Sequence, residues 1–555
     1  MDPLSTGRPG YHFIAPQGWM NDPCAPGYDP QTGTYHLFYQ WNPRSHAWGD
    51  ISWGHATSKD LLTWTHRSDD TPVLAPDQPY DKVAVFTGCY VPAGAGGNAG
   101  VLTVFYTSIT ALPVHYTLTH VRGSEGLSMA TSDDGGKTWT KSPSDPILFG
   151  EPEGLAVTGF RDPYVFHWPR MDEARCTGSE PAKSLYGLLS GGLRGSVSGP
   201  RLFLFSIDPS DLTKWSFIRA LPDLPPSMDI LGADLGLNFE CGSVVTLTDI
   251  NAAGGSRVAA ERDFILAGCE GTKVRYPVPD ESIPPRVARC AAWVRASNDA
   301  GLVLDGSGGG GLLDYGVLYA AAPFKHPDGR TVLWGWLPED DVPDSEQARK
   351  GWVGCFGVPR QIFLARYDSV APATAGRLRT LGFEVEETAT GATVNTFGIR
   401  PLTELTCTEA AIIVRHNHDH SISTRISYRP KESEIRIIRS RSAASTQVNT
   451  CDEVGMFTLL TMVSATGQEE LEPLRLRVFI DHDVLEVFAN DRFAMSTWIY
   501  SPPECQGVSL DWNGDPSLRT VEEAGRRQPT DLAPHGDDSA SLESVDVWEL
   551  VATNK

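Results

Sequence analysis

The sequence predicts an all-β fold: a five-bladed β-propeller over 1–368, a linker at 369–393 and a β-sandwich over 394–555. Three observations carry this. Turns that join an acidic residue to a tryptophan end at Trp64, Trp139 and Trp215, about 75 residues apart, and regular self-similarity marks a repeat architecture. Polar motifs holding Asp22, Thr87, Asp162, Glu240 and Asp314 recur at intervals of roughly 65 to 80 residues. Between them lie short apolar runs such as Val101 to Tyr106 and Arg201 to Phe205, punctuated by Gly, Pro and Asp, while long runs of period 3.6 are hard to find.

In the first segment, about four strands per repeat fit one blade. The repeat exceeds the roughly 40–45 residues of a WD-type blade, and longer connecting loops account for the excess. Five motif positions give five blades. If each motif begins the innermost strand of its blade, all five point into one end of a central funnel, and acids far apart in sequence converge. Trp64, Trp139 and Trp215 read as blade packing rather than ligand contacts. The run Gly306 to Gly311 lacks the Lys-Ser/Thr of a phosphate loop and reads as a flexible loop. After Arg366 an Ala/Thr/Gly-rich passage reads as a linker or irregular connection. Beyond it, Leu474 to Ile480, a turn at Asp481-His482-Asp483 and Val484 to Phe488 form a hairpin by their period-two pattern, and a sandwich is its natural container. Glu522 to Ser541 reads as a surface excursion. His416, His418 and His420 alternate on one strand face without an acid or cysteine to complete a ligand set, so no metal is expected. No cofactor is required either.

A chain of 555 residues can build two cores. Its net charge of −23 repels phosphate backbones and anionic headgroups, which argues against nucleic acid and membrane partners and suits a neutral small molecule. Residues 1–11 carry no apolar core of a secretory signal, so the expectation is a cytoplasmic protein or a mature form whose signal has been removed. Ten cysteines without close pairs read as reduced packing residues. The second domain packs either on its own propeller or on a neighbouring subunit, leaving a homo-oligomer open.

Two carboxyl groups brought together can cleave a glycosidic bond, one as nucleophile and one as proton donor. Asp22, Asp162 and Glu240 therefore propose a sugar-active enzyme. The motifs around them resemble glycoside hydrolase family 32, the invertases, fructanases and fructosyltransferases: Trp19 to Pro23, Gln40 to Pro43, Trp53 to Ser58, Phe86-Thr87-Gly88, Arg161-Asp162-Pro163, Glu240-Cys241, Leu333 to Trp336, and Phe479 to Ala489. That family's fold is a five-bladed propeller followed by a β-sandwich. The resemblance implies Asp22 as nucleophile, Glu240 as general acid then base, and Asp162 as a stabiliser holding ring hydroxyls of a fructosyl unit. It further implies a fructose pocket of Asn21, Gln40, Trp48, Phe86 and Thr87. Arg161 would bind sugar hydroxyls and tune Asp162, and Glu270 would lie at the rim against an acceptor sugar. The family's usual Asn-Gly after Asp-Pro is Cys24-Ala25 here, which resembles the fungal branch containing transfructosylating enzymes.

The expected activity is a retaining β-fructofuranosidase acting on sucrose and short fructooligosaccharides, with substantial transfer of fructose. Its alternatives are a strict invertase or fructan exohydrolase, a sialidase suggested by the Asp-box-like turn Ser132 to Trp139, and a non-catalytic sugar-binding propeller.

Overall fold

The computed structural model describes residues 7–500, 507–510 and 519–520, except 69, 92–99, 176–183, 196–197, 222–233, 250–259, 274–285, 297–308, 381–382, 390, 403–412, 416–421, 430–431, 444–447 and 465–466. His416, His418, His420 and the stretch Glu522 to Ser541 lie outside the described residues.

Strands dominate. A first sheet holds β1 (Gly18–Asp29), β2 (Thr34–Asn42), β3 (Ser52–Ser58) and β4 (Trp64–His66). The second holds β5 (Ala84–Tyr90), β6 (Leu102–Ile109), β7 (Glu125–Ser132) and β8 (Thr140–Lys141). In the third are β9 (Val157–His167), β10 (Leu185–Leu193), β11 (Gly199–Asp208) and β12 (Asp211–Leu221). β13 (Asn238–Thr248), β14 (Glu261–Glu270), β15 (Arg289–Arg295) and β16 (Gly310–Leu312) make the fourth, and β17 (Tyr319–Lys325) with β18 (Thr331–Leu337) opens a fifth. The end of the Gly-rich run, expected as a loop, thus supplies an edge strand, because Gly310 and Gly311 pair with Val294 and Trp293.

The first strand of each sheet packs on the next: β1 on β5, β5 on β9, β9 on β13, β13 on β17, and β17 back on β1. A short strand, β19 (Trp352–Val353), returns to pair in parallel with Gly18 and Trp19 of β1. Pro23, Thr87, Asp162, Cys241 and Ala321, one from each first strand, line a single cavity of about 690 Å³.

The tryptophan turns explain how neighbouring sheets adhere. In each, the indole N–H donates to the carbonyl three residues back: Trp64 to Leu61 at 3.1 Å, Trp139 to Gly136 at 3.3 Å and Trp215 to Leu212 at 3.0 Å. The acid of each turn accepts backbone N–H groups, Asp60 from Leu62 and Thr63, Asp134 from Lys137 and Thr138, Asp211 from Thr213. The rings then pack on the preceding sheet: Trp139 on Phe38 of the first, Trp215 on Phe105 of the second, and Trp64 on Trp334 of the fifth. One local hydrogen-bonded turn, repeated, supplies the aromatic contact between sheets.

The passage expected as a linker at 369–393 is structured instead. β20 (Cys355–Phe356) and β21 (Arg360–Val370) pair with β18, a helix spans Pro372–Thr380, and β22 (Glu384–Thr388) and β23 (Gly391–Pro401) continue the fifth sheet from β21. Small residues hide this element in the sequence, yet Ala375 and Leu378 pack on Val370, Val394 and Leu460.

Farther on, β24 (Ile413–Arg415), β25 (Ser423–Arg429), β26 (Glu434–Ile438) and β27 (Glu453–Met456) join β33 (Gly507–Leu510) and β34 (Arg519–Thr520) in one sheet. β28 (Thr461–Val463) and β29 (Glu469–Leu471) attach to β21, while β30 (Leu476–Asp481), β31 (Val484–Ala489) and β32 (Phe493–Trp498) make a three-stranded sheet. The expected hairpin is β30–β31, closed at Asp481↔Val484. Ile426, Ile435 and Ile437 of one sheet share a core with Leu485, Val487 and Met495 of the other.

This region packs on the chain's own first segment. His12 sits between Asp481 at 2.9 Å and Glu486 at 3.2 Å, and Arg360 between Asp314 and Glu486, both at 2.9 Å. All five side chains are buried, and each charge faces one of opposite sign, which offsets the usual cost of burying charge unpaired.

Candidate active site

Each first strand carries a bulge at the same level. The pairing of β1 with β2 breaks between Met20 and Pro23, leaving Asn21 and Asp22 opposite Gln40. The break in β5 falls at Thr87, in β9 at Asp162-Pro163, in β13 at Cys241-Gly242 and in β17 at Ala320-Ala321. A bulge puts an extra residue on one strand and re-aims its side chain. Asp162, Cys241 and Ala320 sit at φ of 59°, 50° and 51°, a conformation uncommon for residues with a Cβ and concentrated at functional sites. Proline after each aspartate suits the break, because it has no N–H to lose from the ladder. Gly88 is required beside Thr87: a Cβ there would lie 1.9 Å from the Phe105 carbonyl oxygen.

The bulges bring the three acids around Cys241. The Cys241 N–H donates to Asp162 Oδ2 at 2.9 Å, its thiol points at Asp22 Oδ2 at 3.4 Å, and Glu240 is its chain neighbour. Asp22 Oδ2 also accepts from the Thr87 hydroxyl and from Gln40 Nε2 at 3.3 Å, and Asp22 Oδ1 from Asn21 Nδ2 at 3.2 Å. Gln40 donates its second bond to Thr87, and Trp19 Nε1 fixes Asn21 Oδ1 at 2.9 Å. Glu240 is held at both oxygens, Oε1 by Arg161 Nε at 3.2 Å and Oε2 by the Tyr319 hydroxyl at 2.9 Å. Glu270 Oε2 accepts from Asn238 at 2.8 Å and Arg161 Nη2 at 3.4 Å. The Phe86 ring is buried and meets Trp48 edge-on at 6.1 Å, while Trp48 is 48% exposed, forming an apolar wall that reaches solvent.

Electrostatics follow from crowding acids in a dry place. Burial raises the Asp22 carboxyl above its ordinary range and the charge of Glu240 adds to this, outweighing the hydrogen bonds from Thr87, Cys241 and Asn21 that favour the anion. Asp162 is pushed well up by burial and then by Glu240, with Arg161 opposing. Glu270 is pushed up to about 7 by burial and by Glu240. For Arg161 burial opposes the charge, yet Glu125, Glu240, Glu270 and Asp162 prevail and raise it well above the ordinary value. Burial and the surrounding carboxylates raise the Cys241 thiol, which therefore stays a protonated donor. Such crowding favours retention of protons in the cluster, and at Asp22 the hydrogen bonds from Thr87, Cys241 and Asn21 oppose it.

All ten residues expected at the site from sequence lie in this neighbourhood, Trp48 at its outer edge. Asp314, expected to point into the same funnel as the fifth motif, does not. It precedes β17, accepts from the Ser496 N–H at 2.9 Å and pairs with Arg360 at the junction with the second region. Tyr319, five residues on, takes its place beside Glu240. Sequence reading also passed over Cys241 as a ligand of both aspartates, Asn238, and Glu125, whose Oε1 lies 2.5 Å from Arg161 Nη1. Cys241 lies inside the Glu240-Cys241 motif, whereas Tyr319, Asn238 and Glu125 carry no local signal. Among the described residues no group of three or more His, Cys, Asp or Glu could hold a metal ion.

The chain is similar in sequence and fold to known proteins. A rice β-fructofuranosidase, insoluble isoenzyme 2, is 29% identical over 362 residues, covering 64% of this chain and 53% of the relative, so the chain spans about half the length of that relative. The carrot β-fructofuranosidase, insoluble isoenzyme 1, is 26% identical over 591 residues, with 98% of this chain and 89% of the relative covered. The crystal structure of a fructosyltransferase from A. japonicus superposes with a TM-score of 0.72 at 25% identity, over 89% of this chain and 90% of the other. The glycosyl hydrolases family 32 N-terminal domain matches residues 12–184 and 292–371, and the family 32 C-terminal domain matches 372–525. By these matches and the converging acids, the chain belongs to glycoside hydrolase family 32.

Proposed function

We propose that this protein is a retaining β-fructofuranosidase that acts on sucrose and short fructooligosaccharides and passes much of the fructose to sugar acceptors. The observation that carries the reading is the meeting of Asp22, Asp162 and Glu240, from three different sheets, around Cys241. Five sheets whose first strands pack in a closed circuit support a five-bladed propeller as the scaffold.

In the first step Asp22 attacks the anomeric carbon of the fructosyl unit, and the bond from that carbon to the bridging oxygen breaks as Glu240 gives that oxygen its proton. Glucose leaves and a fructosyl ester remains on Asp22. Thr87, Gln40 and Asn21 steady the attacking carboxylate, and Asp162 grips ring hydroxyls from the adjoining bulge. Arg161 and Tyr319 orient Glu240. Glu240, now a base, takes a proton from water or a sugar hydroxyl, which displaces Asp22 and completes hydrolysis or transfer. Glu270, paired with Arg161, takes the part of an acceptor contact in this reading. Protonated thiols at Cys24 and Cys241 leave nucleophilic chemistry to Asp22.

Incubation with concentrated sucrose tests this. Glucose in excess of free fructose, with the deficit found as kestose, is the expected result. Equal release of both sugars at every concentration would leave a strict hydrolase, and absence of glucose release would remove the reading altogether. Release of sialic acid from a sialoside would instead favour the sialidase alternative.

A further inference from the structure

We infer that Glu125 is a positioning residue that sets the orientation of Glu240 through Arg161. The inference rests on Glu240 being the proton donor of the proposed reaction.

Glu125 opens β7 in the second sheet, while Arg161 lies on β9 in the third and Glu240 on β13 in the fourth. The Glu125 side chain has no exposed surface, so it touches no sugar. Its oxygens have divided duties. Oε1 takes Arg161 Nη1 at 2.5 Å; Oε2 takes the Phe160 N–H at 2.8 Å and lies 3.5 Å from His120 Nδ1. The far nitrogen of His120 meets Glu151 at 3.1 Å, so the anchor is itself braced.

A guanidinium is planar and its five N–H groups keep fixed relative directions. Holding Nη1 on Glu125 therefore settles where Nε and Nη2 point, and these reach Glu240 Oε1 at 3.2 Å and Glu270 Oε2 at 3.4 Å. With Tyr319 holding Oε2, the Glu240 carboxyl is fixed from two directions. Without the anchor, Arg161 is free to turn toward Glu270 or Asp162, both of which attract it.

The test uses the full chain as wild type, Glu125→Gln, Glu125→Asp and Glu240→Gln, with kcat and KM for sucrose measured across pH and thermal melts alongside. Glu125→Gln is expected to lose about 10- to 100-fold in kcat, the scale of a small misplacement in an active site, with KM changed less. Glu125→Asp keeps the charge but not the reach, so its kcat falls as well, again with KM changed less. A folded Glu125→Gln with wild-type kcat, or one whose loss lies in KM instead, overturns the inference. If that variant does not fold, Glu125→Asp with wild-type kcat overturns it. Full activity in Glu240→Gln would remove the proton-donor reading beneath it, whereas an inactive Glu240→Gln beside an unaltered Glu125→Gln removes the positioning role alone.

Discussion

Replacing Thr87 by valine keeps the volume of the side chain and deletes one hydroxyl from the surroundings of Asp22, the proposed nucleophile. That hydroxyl donates to Asp22 Oδ2 and accepts from Gln40, so its loss costs the carboxylate one charge-assisted hydrogen bond and leaves one Gln40 proton without its acceptor. A hydrogen bond to a charged group contributes about 1.5–3 kcal/mol, and one pH unit corresponds to about 1.4 kcal/mol. The sign is set by which form the bond favours. Thr87 lowers the Asp22 carboxyl against burial, so Thr87→Val raises it further. The acid limb of kcat/KM for sucrose should therefore move to higher pH by about one to two units. Initial glucose release in overlapping buffers, with circular dichroism to verify folding, measures this. An acid limb that stays in place, in a folded variant, would refute the reasoning that Asp22 titrates under the control of this hydrogen bond.

Asp22→Asn should leave the fold intact, since it removes a charge from a buried site, and should lower turnover of sucrose by at least about 10⁴-fold, as loss of a nucleophile does; near-normal glucose release would exclude Asp22. Trp139→Ala removes the ring that joins the second sheet to Phe38 of the first, and urea denaturation should register a loss of about 3–5 kcal/mol. The junction with the second region is pH-sensitive through His12, which is raised from 6.5 to about 9 because Asp481 and Glu486 outweigh the burial that would lower it. A raised histidine contributes stability that is complete below its unfolded value and lost as pH climbs through its folded one. Melting temperature should fall between about pH 6.5 and 9, by the equivalent of about 3 kcal/mol, and the fall should flatten in His12→Gln; equal slopes in both would count against the ion pairs.

The tryptophan turns were legible because everything that makes them is local. The acid, the turn amides and the indole N–H that reaches back three residues all lie within one short segment. The β30–β31 hairpin was legible for the same reason: period-two alternation and a two-residue turn need no distant partner. The helix at Pro372–Thr380 was not, since its first five residues are proline or small and it is held by Leu460, far along the chain.

At the site the division runs between neighbouring residues. Sequence alone determined the identities and spacing of Asp22, Asp162 and Glu240, and that repeated all-β units separate them, because spacing and alternation are properties of the chain. Which group of the fifth sheet joins them was decided by tertiary structure: Asp314 turns to Ser496 and Arg360, and Tyr319 reaches Glu240. The anchoring of Arg161 by Glu125 belongs to the same class. Bulges in five strands aim these side chains, and the register that places a bulge depends on partners tens to hundreds of residues away, which no local pattern encodes.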